Sequence, residues 1–127
     1  MGGKRILLIE DNVVNRRLAQ FLLKSQGYEV WEATRASEAF ESLKEKHPDL
    51  ILMDIQLPEM DGLTATRHLK ADPATRDIPV LAVTSYAMKG DEVKAFEAGC
   101  SGYVTKPIDK SVFLEAVARA LKSQEGG

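Results

Sequence analysis

One cysteine, Cys100, stands in 127 residues. A single thiol cannot close an internal disulfide, and no His or second Cys lies near it at metal-ligand spacing. A disulfide-stapled scaffold is therefore excluded, and a reducing, cytoplasmic setting is expected. Charge of one sign is also lacking: the formal net charge is -2, which gives no general drive toward nucleic acid. No apolar run approaches the roughly 20 residues that span a bilayer, and no secretory signal precedes the first apolar run. Internal repeats, low-complexity tracts and linkers are missing too. A single domain over residues 4–122 is expected, with 1–3 and 123–127 as flexible ends marked by Gly2-Gly3 and Gly126-Gly127.

What is present is ordinary globular composition, with 44% hydrophobic and 28% charged residues. The organising stretch runs Leu50-Ile51-Leu52-Met53-Asp54-Ile55-Gln56-Leu57-Pro58-Glu59-Met60-Asp61-Gly62. Four apolar residues meet a single carboxylate and then turn signals, which reads as a buried parallel strand ending at Asp54. Ligands and chemistry in open α/β sheets sit at that carboxyl edge, although a lone Asp there also serves as a turn former.

Taken in order, Lys4 to Ile9 is a first strand ending in Glu10-Asp11-Asn12, with Asn12 as an N-cap. Val14, Leu18, Phe21 and Leu22 then follow the i, i+4, i+7, i+8 pattern of an amphipathic helix stopped by Gly27. Tyr28 to Ala33 is a second strand. Thr34 caps a helix to about Lys46, with Ala36, Ala39, Phe40 and Leu43 inward and Pro48 closing it. After the Asp54 strand, a helix covers Gly62 to Ala71 and a polar loop covers Ala71 to Asp77. Pro79 to Thr84 is a fourth strand, followed by a loop at Ser85 to Lys89 and a short helix to Ala98. Gly102 to Thr105 is a fifth strand ending at Lys106-Pro107. Asp109 or Ser111 opens the last helix, with Phe113, Ala116, Val117, Ala120 and Leu121 inward.

Five alternating strand–helix units predict an α/β fold of the flavodoxin-like (βα)5 type, a parallel sheet of order 2-1-3-4-5 covered on both faces. That order brings Glu10, Asp11, Asp54, Thr84 and Lys106 to one edge. Three clustered carboxylates repel one another, so a cation must offset them. Mg²⁺ fits, because it takes oxygen ligands, usually one or two carboxylates plus waters and a phosphate. The chemistry this permits is phosphoryl transfer to a carboxylate, with Thr84 donating to a phosphoryl oxygen and Lys106 pairing with another.

The motifs Glu10-Asp11-Asn12, Met53-Asp54-Ile55-Gln56-Leu57-Pro58, Thr84-Ser85-Tyr86-Ala87 and Lys106-Pro107 resemble the receiver domain of bacterial two-component response regulators. The resemblance spans roughly Lys4 to Leu121, with every motif in order. It implies that Asp54 accepts phosphate from a phosphohistidine on a histidine kinase or a histidine phosphotransfer protein. It implies that Asp11, Asp54 and the backbone carbonyl of Gln56 ligate Mg²⁺, with Glu10 acting through a metal-bound water. Thr84 and Lys106 would hold the phosphoryl group. Tyr103 falls at the family's switch aromatic, and the Lys106-Pro107 bond would be cis. The implied output is a phosphorylation-dependent switch rather than an enzyme with an external substrate. It catalyses only its own phosphorylation and dephosphorylation. The surface of the fourth helix, fifth strand and last helix would be read by a downstream protein, with no nucleic acid or membrane contacted directly. The molecule would be a monomer or a phosphorylation-dependent dimer.

Two other classes fit less well. A flavodoxin-like cofactor binder needs a Ser/Thr- or Gly-rich phosphate loop after the first strand, where Glu10-Asp11-Asn12 stands. A phosphatase working through an aspartyl intermediate needs a further acid and a substrate cap, neither evident after Asp54. Cys100 reads as a small buried hydrophobe, Trp31 as packing on an edge strand, and His47 and His68 as solvent-facing. Asp61 and Asp91 read as helix-start residues.

Overall fold

The computed structural model describes residues 3–85 and 90–125, with side chains described to residue 122. Tyr86, Ala87, Met88 and Lys89, where a loop is expected, lie outside the described residues. The elements alternate without exception: β1 (Arg5–Ile9), α1 (Val13–Ser25), β2 (Glu29–Ala33), α2 (Ala36–Leu43), β3 (Leu50–Asp54), α3 (Gly62–Ala71), β4 (Val80–Thr84), α4 (Asp91–Ala98), β5 (Gly102–Thr105) and α5 (Lys110–Glu125). The strands form one parallel sheet in the order β2-β1-β3-β4-β5, as the sequence predicts.

β1, β3 and β4 lie inside the sheet and are covered on both faces, so they read as unbroken apolar runs. All five residues of β3 and of β4 are buried. Successive side chains point to opposite faces. Leu7, Ile9, Ile51, Met53, Val80 and Ala82 join the cluster beneath α2, α3 and α4. Ile6, Leu8, Leu50, Leu52, Leu81 and Val104 join the cluster beneath α1 and α5, around Phe113 and Val117. A Leu at such a position contributes about 2–5 kcal/mol when compared with Ala.

Helix ends follow the expected chemistry in three places. Asn12 Oδ1 accepts the Asn15 N–H at 2.9 Å, and Asp61 Oδ1 accepts the N–H groups of Leu63 and Thr64, both at 3.0 Å. Asp109 Oδ1 accepts the Val112 N–H at 3.1 Å and opens α5, which runs on to Glu125, beyond residue 122.

Three expectations are corrected. Thr34 does not cap α2: Arg35 holds the N-cap position, and Glu38 reaches back to accept from both the N–H and the hydroxyl of Thr34. The capping direction is reversed, because the first-turn carboxylate is the better acceptor. The helix also stops at Leu43 rather than Lys46. On α1 the inward residues are Ala19, Leu22 and Leu23, whereas Val14 (70%), Leu18 (40%) and Phe21 (71%) are exposed. Their helical spacing is real, but the stripe they form faces away from the sheet. Cys100 is buried, and His47 and His68 are exposed, as expected. Trp31 lies on edge strand β2, with Lys46 Nζ 4.9 Å and Arg5 Cζ 5.9 Å from its ring centroid.

Candidate functional site

The parallel direction of the strands puts every strand's carboxyl end on one side. Asp54 is the last residue of β3 and Thr84 the last of β4. Glu10 follows β1 and is tied to the sheet by its N–H to Ala33 O at 3.0 Å. Lys106 follows β5, with its N–H on Thr84 O at 2.7 Å. Backbone hydrogen bonds thus deliver each side chain to the same edge.

Glu10 and Asp54 are buried, Asp11 is exposed, and a carboxylate oxygen from each can be chosen so that all three lie within 4.8 Å of one another. Lys106 Nζ sits between the buried pair, 2.7 Å from Glu10 Oε1 and 3.2 Å from Asp54 Oδ2. The second oxygen of each acid is also held: Glu10 Oε2 accepts the Asn12 N–H at 3.1 Å, and Asp54 Oδ1 accepts the Gln56 N–H at 3.0 Å. Among the described residues Lys106 is the one cation salt-bridged to these three acids, so the four groups together carry a net negative charge. Burial, reinforced by the Glu10 carboxylate, pushes the Asp54 carboxyl up to about 7 against the opposing pull of Lys106. Lys106 itself is held above the usual lysine range, its two acid partners outweighing its desolvation.

These groups line an open cavity of about 250 Å³ with Asn12, Asn15, Gln56 and Ser85. The donor set is hard oxygen, it is deficient in positive charge, and it fits Mg²⁺ rather than a softer metal. The larger cleft, about 430 Å³ between α2 and α3, is mostly apolar and carries no such cluster among its described residues.

Thr84 is buried beside this cavity and Tyr103 is partly exposed on β5. Tyr103 is opposite Ala82, two positions from the Thr84–Thr105 pair in the register. Burial, with Asp91 and Glu92 nearby, holds its phenol above the usual tyrosine range. The Lys106-Pro107 bond is cis.

Two contributors escape sequence reasoning. Arg16 on α1 donates from Nη1 to Glu10 O at 3.1 Å and, more weakly, to Asp11 O at 3.4 Å. Its Nε pairs with Glu32 at 3.0 Å. The Gln56 side chain bonds Thr84 and Ser85. Arg16 had a faint signal, one turn into the helix after the acidic pair; the Gln56 side chain had none.

The fold and the site together define a five-stranded parallel α/β domain with an acidic, oxygen-donor pocket at the carboxyl edge of its sheet. The response regulator receiver domain model matches residues 6–118, so the chain belongs to that family, whose domains act as phosphorylation-dependent switches in two-component signalling. The polar-differentiation response regulator DivK of Brucella ovis is 46% identical over 114 residues, covering 90% of this chain and 93% of that protein. A putative response regulator from Chloroflexus aurantiacus superposes with a TM-score of 0.91 at 27% identity, covering 94% of this chain and 98% of that one. The receiver domain of sensor histidine kinase PA1611 from Pseudomonas aeruginosa superposes with a TM-score of 0.86 at 35% identity, with 94% and 98% covered. That structure holds a magnesium ion in its active-site cleft.

Proposed function

We propose that Asp54 is the phosphoryl acceptor of this receiver domain and that it draws the group from a phosphohistidine on a kinase or phosphotransfer protein. The observation that supports this reading best is the treatment of Asp54. It is a buried carboxylate whose two oxygens are oriented by different donors, Lys106 Nζ and the Gln56 N–H. Glu10, Asp11, Asp54 and the Gln56 carbonyl are the groups that would hold Mg²⁺. The ion would supply neutralising charge on the transferred group.

In the reaction an Asp54 oxygen attacks phosphorus, the P–N bond to the donor imidazole breaks, and that imidazole leaves with the electron pair and takes up a proton. Asp54 must be ionised to attack, and the Lys106 ammonium favours that form. Lys106 then serves an oxygen of the phosphoryl group, and Thr84 donates its hydroxyl to another. Two or three such charge-assisted bonds, at about 1.5–3 kcal/mol each, are of the size needed to reverse a two-state population. Thr84 and Tyr103 carry the change to the surface of α4, β5 and α5. The domain catalyses only its own phosphorylation and dephosphorylation.

The exposed stripe of Val14, Leu18 and Phe21 on α1 starts beside Asn12 at the rim of the cavity. An apolar surface in that position suits the docking of the phosphodonor protein. No helix among the described residues is long and apolar enough to cross a membrane, and we place the domain, residues 4–122, in the cytoplasm as a monomer or a phosphorylation-dependent dimer.

Incubation with a small phosphodonor such as acetyl phosphate is expected to label the protein only when Mg²⁺ is present. Asp54→Asn should abolish the label. Labelling that survives in the Asn variant would overturn the assignment.

A further inference from the structure

The carboxamide of Gln56 makes two hydrogen bonds across the mouth of the site. Its Nε2 donates to Thr84 Oγ1 at 2.6 Å, and its Oε1 accepts the Ser85 N–H at 3.1 Å. The orientation of the amide is fixed by chemistry: a backbone N–H can only donate, so the oxygen faces Ser85 and the NH₂ faces Thr84. The main chain of the same residue holds Asp54 Oδ1. Gln56 therefore ties the acceptor carboxylate to the end of β4 through one residue, its main chain on Asp54 and its side chain on Thr84 and Ser85.

We infer that Gln56 is a positioning residue that holds Thr84 in its resting place and so sets how readily Thr84 turns to a phosphoryl group on Asp54. The inference rests on the proposed phosphoryl-acceptor reading. Its physical content is an opposition. A hydroxyl accepts and donates at once, so the opposition is one of place: the Gln56 bonds hold Thr84 and Ser85 where they stand, whereas the switched state needs the Thr84 hydroxyl at a phosphoryl oxygen on Asp54. A displacement of Thr84 and Ser85 toward Asp54 that neither the Gln56 side chain nor the 55–61 loop follows breaks both bonds. Each bond is of a strength that alters a population severalfold, and the two together on the order of tenfold. A ligand that binds only the switched state is weakened by the same factor, because its apparent affinity scales with the fraction of competent protein.

Beryllium fluoride with Mg²⁺, a phosphoryl mimic, is the probe. Gln56→Met keeps the length and volume of the side chain and removes both bonds. It is expected to lower the half-saturating beryllium fluoride concentration on the order of tenfold. Gln56→Glu retains an acceptor for Ser85 but has no donor for Thr84, so its shift should be smaller. In the metal-free protein the Ser85 amide, followed by ¹⁵N NMR, should exchange faster with solvent in Gln56→Met and stay protected in Gln56→Glu. Unchanged or weaker mimic binding by Gln56→Met, with the wild type saturating normally, overturns the inference and leaves the acceptor assignment standing. A wild type that neither binds the mimic nor takes label on Asp54 overturns both. An unaltered Ser85 amide in Gln56→Met also overturns the inference, because the bond is then not made in solution.

Discussion

Asp54 is held in a protonation balance that stability measurements can read. Its carboxyl titrates near 7 in the folded, metal-free protein, against 3.8 for an unperturbed group. Between those values the folded state keeps a proton that the unfolded chain releases. Stability must therefore fall as pH rises through that window. Urea midpoints in EDTA should drop from pH 5.5 to pH 7.5, and Asp54→Asn should flatten the slope and exceed the wild type at the higher pH. An equal slope in both proteins would place the titration elsewhere. Gly62 is constrained in a different way. A Cβ on it would lie 2.3 Å from Asp54 O and 2.8 Å from Ile55 Cα, both main-chain atoms. Main chain cannot rotate aside, so Gly62→Ala should cost about 1–3 kcal/mol by chemical denaturation. It should also slow labelling, because the nearest displaced atom belongs to the acceptor residue itself.

At the scale of elements, α1 does two jobs with opposite faces. Ala19, Leu22 and Leu23 anchor it to the sheet, while Val14, Leu18 and Phe21 face outward. Phe21→Ser removes a mostly exposed ring and should change stability by no more than about 0.5 kcal/mol. Transfer from the partner kinase should slow in the same variant, while labelling by acetyl phosphate stays unchanged. Loss of both activities together would mean that the residue supports the site rather than the docking face. The outward stripe also marks where sequence reasoning reached its limit. Helical period is legible in a sequence, but which side of the helix meets the sheet depends on crossover geometry. Small Ala19 lies inside and large Phe21 outside, against the simple rule that bulk is buried. Strand ends were legible for the opposite reason. Parallel pairing fixes them, and Glu10, Asp54, Thr84 and Lys106 needed only the strand order to be brought together. The Gln56 side chain was illegible because its partner at Thr84 is 28 residues away and the pairing leaves no local pattern.

At the scale of the whole molecule, a cation held at the acidic edge, as proposed, would couple its binding to folding. The acids converge only when β1 and β3 are paired, and the unfolded chain cannot hold Mg²⁺ in the same way. Free Mg²⁺ at 100 times its Kd should therefore add about 2.7 kcal/mol, which for a domain of this size raises Tm by roughly 10 °C. Protons compete for Asp54 near pH 7, so the rise should be larger at pH 8 than at pH 6. Asp11→Asn should reduce the rise at both values, since Asp11 is the exposed member of the cluster and has no part in the Lys106 bridge. Sodium chloride of matched ionic strength separates site binding from screening, because exposed charges elsewhere respond to both salts alike. A Tm rise that sodium reproduces, or that is independent of pH, would mean that the acids at the sheet edge do not act as a cation site.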